Sequence, residues 1–453
     1  MDTNLWETYT KDQAKNLNDF CEGYKDFLST CKTERECISW TINKAEALGY
    51  KSLKTLIEQN TPLKPGDKVY SVNMDKSILL FVVGSEPIEK GINIVGAHID
   101  SPRLDLKAKP LYESQGFCLL DTHYYGGIKK YQWTCLPLAL HGVVVRKDGT
   151  KENIIFGEDD GACLGISDLL PHLDREEKKE IKGEDLNILA GNTADKDAKD
   201  SKFKNHILNL MKAKDITEED LFSAELEIVP AGKAKDCGLD RSMIMGYGHD
   251  DRVCTYASLK ALSEIDAPKH SIMCLLVDKE EIGSVGATGM HSKAFENSIA
   301  EIMNLCGQYS ELALRRALNR SNMISSDVTA AVDPNYLAPY NVETDAHFAK
   351  GVSLNKFTGS RGKSGANDAN PEFIARLRKV LDENNIAYQA TEMGKVDQGG
   401  GGTIAYIMAK HGMNVIDAGV PVLNMHAPWE IISKADLYET YRFYKAFYNM
   451  DIQ

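Results

Sequence analysis

The sequence predicts an α/β fold: a mixed sheet flanked by helices, interrupted by an inserted β-rich domain. Three observations carry this expectation. Apolar runs such as SIMCLLV, Ser271–Val277, alternate with helical patterns through the second half of the chain, and such alternation builds a parallel or mixed sheet with helices on its faces. From about Leu104 to Lys235 the pattern changes to short β-like runs separated by dense charge. Residues able to do chemistry recur just after apolar runs, at the carboxyl ends of strands where α/β sheets form their sites. The expected organisation is a catalytic domain over residues 1–104 and 236–453, with the insertion over 105–235.

Taken in order, Leu17, Phe20, Tyr24, Phe27 and Leu28 recur at helical spacing and predict an amphipathic helix. Thr33 and Glu36 form a capping-box pattern opening a second helix, which stops at Gly49. Residues 68–84 read as two strands with a turn near Asn73 to Asp75, and INIVGAHID (92–100) as a third. Within the insertion, KYQWT (130–134) and LALHGVVVRKDG (138–149) read as β-like. The runs DREEKKEIKGED (174–185) and DKDAKDSKFK (195–204) read as solvated loops, and AELEIVPAG (224–232) follows them. Helices are expected over 251–265, 292–306, 312–319, 371–385 and 402–412, and strands over 321–332 and 420–428.

Composition narrows the function classes. The formal net charge of -13 and the lack of a basic stripe argue against nucleic acid or an anionic membrane as partner. The opening residues MDTNLWETYT lack the basic-then-apolar pattern of a secretory signal, and no apolar run approaches bilayer length. Ten cysteines are scattered without paired spacing, as expected of reduced core thiols in a cytoplasmic protein.

The stretch DKEEIGS (278–284) places Glu280 and Glu281 where a buried strand should end. On an extended backbone neighbouring side chains point to opposite sides, which would let one glutamate bind a metal and the other handle a proton. His98 and Asp100 follow the run INIVGA, Asp250 and Asp251 follow GYGH, Asp327 follows NMISS, and His426 follows VPVLNM. Imidazole and carboxylate donors suit Zn²⁺, with Mn²⁺ or Co²⁺ as alternatives. With one bridging carboxylate, such a set holds two ions about 3.5 to 4 Å apart. Asp100 is placed to accept the N–H of a metal-bound imidazole, which leaves Glu280 as general base. His123, His141, His206, His249, His270, His291, His347 and His411 are assigned to no metal.

The ordered motifs VGAHIDSPRLD, GHDDRVC, DKEEIGS, SSDVTAAVDPNY and VLNMHAP resemble the aspartyl aminopeptidase family of dinuclear zinc peptidases. HYYGGIKKYQW and KFTGSRGKSGANDAN are similar to its bacterial branch. The resemblance implies that His98 and Asp327 complete one metal site and Glu281 and His426 the other, with Asp250 bridging and Asp251 outside the set. It implies Glu280 as catalytic base, His172 reaching a neighbouring subunit's site, and Lys356 binding an acidic side chain. It also implies a dimerisation role for the insertion and assembly into a tetrahedral dodecamer.

The expected activity is metal-dependent removal of N-terminal residues, acidic ones first, from peptides with a free N-terminus. A neutral or broad preference is the alternative, because HYYGGIKKYQW departs from the rest of the family. A related deacylase or carboxypeptidase would use the same ions on the other end of the substrate. The glycine run DQGGGGT (397–403) raises a nucleotide site, but it lacks the Lys-Ser/Thr pair of a phosphate loop and reads better as close backbone approach. A non-catalytic assembly protein is the weakest alternative.

Overall fold

The computed structural model describes residues 3–158, 161–174 and 181–452. They form two compact units: Met1–Asp100 with Ala234–Met425 and Glu430–Gln453, and Ser101–Lys233 with His426–Trp429.

Among the described residues, the first unit holds a nine-stranded sheet. Its centre is four parallel strands side by side: Ser271–Val277, Ile92–His98, Asn322–Ser325 and Asn414–Gly419. Three of these, Ile92–His98, Ser271–Val277 and Asn322–Ser325, are buried at every position, because helices lie on both faces of a parallel sheet. The register sets Val277 opposite His98 and Gly96 opposite Ser325. Residues just past these strands therefore leave the sheet along one edge.

One face is covered by the helices Lys11–Thr30, His249–Leu262 and Lys434–Tyr448, whose Phe27, Cys254 and Phe447 join Val95, Leu276 and Ile324 in one core. The opposite face packs Ile94, Met273 and Met323 against Ala294–Leu305, Glu311–Arg320 and Ala405–Ala409. The first helix buries all five residues of the predicted stripe, each worth roughly 1.5–3 kcal/mol of transfer free energy. The predicted capping box is formed: Thr33 accepts the N–H of Glu36, and Glu36 accepts that of Thr33. A second sheet in this unit runs Lys235–Cys237, Met243–Gly246, Glu430–Ser433, Pro421–Leu423, Thr329–Ala330.

Among the described residues, the second unit is built on a six-stranded antiparallel sheet, ordered Lys151–Phe156, Leu138–Val145, Ala224–Pro230, Arg103–Ser114, Phe117–Tyr125, Ile188–Gly191. No described helix of the chain is long and apolar enough to cross a membrane. All ten cysteines are free thiols.

Several elements differ from expectation. KYQWT is a 3-10 turn, Lys130–Trp133, that buries Trp133 instead of a strand. The run 321–332 breaks into Asn322–Ser325 and Thr329–Ala330 in different sheets, because the chain leaves the central sheet at Ser326 and Asp327. The charged run 195–204 leads into a helix, Lys202–Lys212, with Phe203, Ile207 and Met211 four residues apart on one face. The helix expected over 402–412 is only Ala405–Ala409. Residues 175–180 of the other charged run lie outside the described residues.

Candidate active site

The edge left by the parallel strands collects the acidic residues. His98 ends its strand 2% exposed, and its backbone is fixed on both sides: Asp251 Oδ2 accepts its N–H at 3.4 Å, and its carbonyl accepts the Thr255 hydroxyl at 3.0 Å. Nδ1 lies 3.0 Å from the Asp100 carbonyl oxygen and 3.2 Å from Asp100 Oδ1. Two acceptors on one nitrogen hold the ring proton there and turn Nε2 outward. Nε2 faces Asp250 Oδ1 at 3.1 Å, Asp327 Oδ1 at 3.7 Å and Glu280 Oε2 at 4.0 Å.

Asp250 is delivered by the start of the helix His249–Leu262, where Asp250 and Asp251 are non-helical and joined by a cis peptide bond. Glu430 Oε2 accepts the Asp250 N–H at 3.0 Å. His249, next to it, is a packing residue: the Tyr24 hydroxyl donates to its Nδ1 at 2.6 Å, and its Nε2 lies 3.2 Å from the Ile244 carbonyl. Burial pushes that imidazole down to about 3, despite the bond to Ile244.

Glu280 and Glu281 do not lie on an extended strand. The strand stops at Val277, Lys279 takes a left-handed conformation, and Glu280–Ile282 is a single 3-10 turn. Successive side chains there diverge by about 120° instead of alternating across a sheet. The two glutamates still separate, but through a turn. That turn is tied down by Asp100, whose Oδ1 accepts the Glu280 N–H and whose Oδ2 accepts the Glu281 N–H, both at 3.2 Å. Asp278 holds its other side, accepting the Thr288 hydroxyl at 2.5 Å and Lys279 Nζ at 2.9 Å.

The electrostatics are those of a cation site. Burial pushes Glu280 up to about 8; His98 opposes the shift, while Asp327, Asp100 and Asp250 add to it. Burial likewise raises Asp327, against His98, and raises Asp251 well above the usual carboxylate range, with Asp327 reinforcing it. His98 moves up strongly: burial opposes its charge, but Asp100, Asp250 and Asp327 overcome that penalty. Among the described residues, two donor sets that share His98 have ligand atoms within 4.8 Å of one another: His98, Asp250 and Glu281, and His98, Asp251 and Asp327. A buried imidazole among carboxylates of this kind fits divalent zinc.

The structure thus brings His98, Asp100, Asp250, Glu280, Glu281 and Asp327 together and adds Asp251, which the sequence argument left outside. His426 belongs to the second unit, where its Nδ1 donates to the Gly127 carbonyl at 2.9 Å within HYYGGIKKYQW. His172 is exposed in the same unit. Lys356 is exposed just past the strand Val352–Asn355, and its carbonyl accepts the Ala369 N–H at 2.7 Å. Glu430 and Asp278 were missed because they act on backbone N–H groups or on a distant hydroxyl, contacts that leave no local spacing.

Residues 27–448 match the family described as aminopeptidase I zinc metalloprotease (M18). The chain is 55% identical, over 98% of both chains, to a probable M18 family aminopeptidase 1 of Clostridium acetobutylicum. It superposes on the crystal structure of an M18-family aminopeptidase from Thermotoga maritima with a TM-score of 0.93, at 41% identity over 98% of each chain. A more distant likeness bears on the fold alone: the S. cerevisiae mApe1 dodecamer, with a TM-score of 0.78 and 20% identity over 95% of this chain and 97% of that one.

Proposed function

The chain belongs to the aminopeptidase I zinc metalloprotease family (M18) and is a zinc aminopeptidase of it, and from that premise we propose its metal set, its base and its substrate preference. His98 and Asp327 would hold one divalent ion and Glu281 and His426 the other, with Asp250 as the ligand common to both. Zn²⁺ is the favoured ion, with Mn²⁺ or Co²⁺ as substitutes. The observation that supports this is the packing of Asp250 and Asp327 around Nε2 of His98 at 3.1 and 3.7 Å, with Glu281 within reach of the same His98 and Asp250 donors.

When bound, the ions supply Lewis-acid polarisation of the scissile carbonyl and lower the pKa of a coordinated water. Glu280 is the general base: its carboxylate takes the proton of the attacking water and passes it to the leaving amine. The high proton affinity it has before ions bind suits that exchange. Asp100 positions both parts, holding the ring of His98 through Nδ1 and the turn of Glu280 through its amide. A carboxylate of the cluster would receive the free α-amino group of the substrate, which makes an unblocked N-terminus a requirement.

Lys356 favours acidic N-terminal side chains, and His172 completes the site of a neighbouring copy. Leu169, Leu170 and Leu173 around His172 are 47%, 47% and 70% exposed, which supports a dimerisation role for the insertion. Assembly into a tetrahedral dodecamer is part of the same proposal.

The test is a panel of aminoacyl substrates, free and N-acetylated, assayed after chelation and after readdition of each metal. Loss on chelation, recovery with Zn²⁺, cleavage of free but not blocked substrates, and fastest release of Asp or Glu are expected. Cleavage of blocked substrates would favour a deacylase, and equal rates on neutral residues would remove the acidic preference.

A further inference from the structure

Two glycine-rich stretches far apart in sequence, 356–365 and 397–403, are joined in a small antiparallel ladder, Gly359–Ser360 against Gly400–Gly401. The backbones approach too closely for side chains. A Cβ on Gly400 would lie 2.0 Å from the Gly359 carbonyl oxygen, and Gly400 itself has a φ of +112°. Each stretch is rooted by a buried threonine, Thr358 just before the ladder and Thr403 just after it.

Both roots end on one carboxylate. Thr403 donates to Asp417 Oδ1 at 2.7 Å, and Thr358 donates to Asp417 Oδ2 at 3.3 Å. Asp417 is 3% exposed and sits in the strand Asn414–Gly419. Its register partners are Ser325, two residues before Asp327, and Asn355, one residue before Lys356. Burying a carboxylate here is costly unless hydrogen bonds offset it. This one is offset by fastening two loops to the strand next to the one that delivers Asp327.

We infer that Asp417 is a positioning residue for the aminopeptidase reaction, a clamp that sets the paired loops 356–365 and 397–403 against the sheet and so fixes how a substrate's N-terminal residue is held. This rests on the proposed role of the loop carrying Lys356 in substrate binding. A clamp of this kind acts on binding geometry, so its loss is read in KM and not in metal loading.

The test compares Asp417→Ala, Asp417→Asn, Thr358→Val and Thr403→Val in the zinc-loaded enzyme with an N-terminal aminoacyl substrate. Asp417→Ala is expected to raise KM about tenfold with kcat within about twofold and zinc content unchanged. Asp417→Asn, which keeps one of the two acceptors and the same size, is expected to restore part of the loss. The threonine variants remove one hydroxyl each and give intermediate KM values even if Asp417→Ala does not fold. A fall in melting temperature with KM unchanged across the set would make Asp417 an ordinary buried residue and overturn the inference, as would loss of zinc in step with activity. Lys356→Ala, assayed alongside on acidic and neutral substrates, judges the pocket separately: an unchanged preference removes Lys356 from it and leaves the KM series to decide the clamp.

Discussion

Asp100 Oδ1 accepts the backbone N–H of Glu280 at 3.2 Å. The same oxygen lies 3.2 Å from Nδ1 of His98, so one buried atom aligns a strand end with the turn that follows the neighbouring strand. Asp100 therefore fixes the distance between an imidazole and a carboxylate that must work together. Asp100→Ala should weaken metal binding about 10- to 100-fold and lower kcat at saturating metal, as loss of partners behind metal ligands generally does. Asp100→Asn should retain part of both. Titration of the chelated protein with Zn²⁺, followed by assay at saturation, measures the two effects separately.

Glu280→Gln keeps the shape of the turn and the amide bond to Asp100 but removes the base. Turnover is expected to fall by about 10²- to 10⁴-fold, with metal content and KM close to those of the parent. Normal kcat with bound metal would assign the proton transfer elsewhere.

Chelation should make stability depend on pH in a definite direction. Without ions, Glu280 in the folded chain holds its proton up to about 8 against an ordinary 4.5, so between those values the folded state binds more protons than the unfolded. Stability of the chelated protein then falls as pH rises through this window, by at most about 1.4 kcal/mol per pH unit from this group. His98, also raised, acts in the same direction, since the stability from its charged form is lost as pH rises through its folded pKa. Zinc-loaded protein should lack the slope, and zinc addition near neutral pH should release protons. Melting curves from pH 5 to 9, with and without chelator, check this; parallel curves would rule it out.

Asp436, fully buried at the start of the last helix, accepts the N–H groups of Ala349 at 2.8 Å and Gly351 at 2.7 Å. Those residues form a turn in which Ala349 and Gly351 both have positive φ. Asp436→Ala leaves buried donors unmatched and is expected to cost about 2–4 kcal/mol, read as a lower urea midpoint. Metal affinity should change little, because Asp436 lies outside the cluster.

How much of this was legible in the sequence follows from the kind of interaction involved. His98 and Asp327 could be found because each sits at or just past a buried apolar run, and parallel strands in register bring such positions to one edge. The buried stripe of the first helix and the Thr33–Glu36 cap were legible because both are local. Glu280 and Glu281 were found by the same strand-end logic but with the wrong local geometry, since Lys279 turns the backbone before the glutamates are reached. Glu430 on the Asp250 amide and Asp417 on two threonines were not legible. Their partners lie 180, 14 and 59 residues away, and a carboxylate that accepts from a distant backbone or hydroxyl looks like any other acidic residue.

His98, Asp250, Glu281 and Asp327 come from four separate places in the chain: the register of the parallel strands brings three of them to one edge, and the start of the helix His249–Leu262 delivers Asp250. A chain still being made therefore has no arrangement with which to capture an ion, since such sites are absent from unfolded polypeptide. For a peptidase this sets the order of events. The ability to cut arises only after the chain has closed.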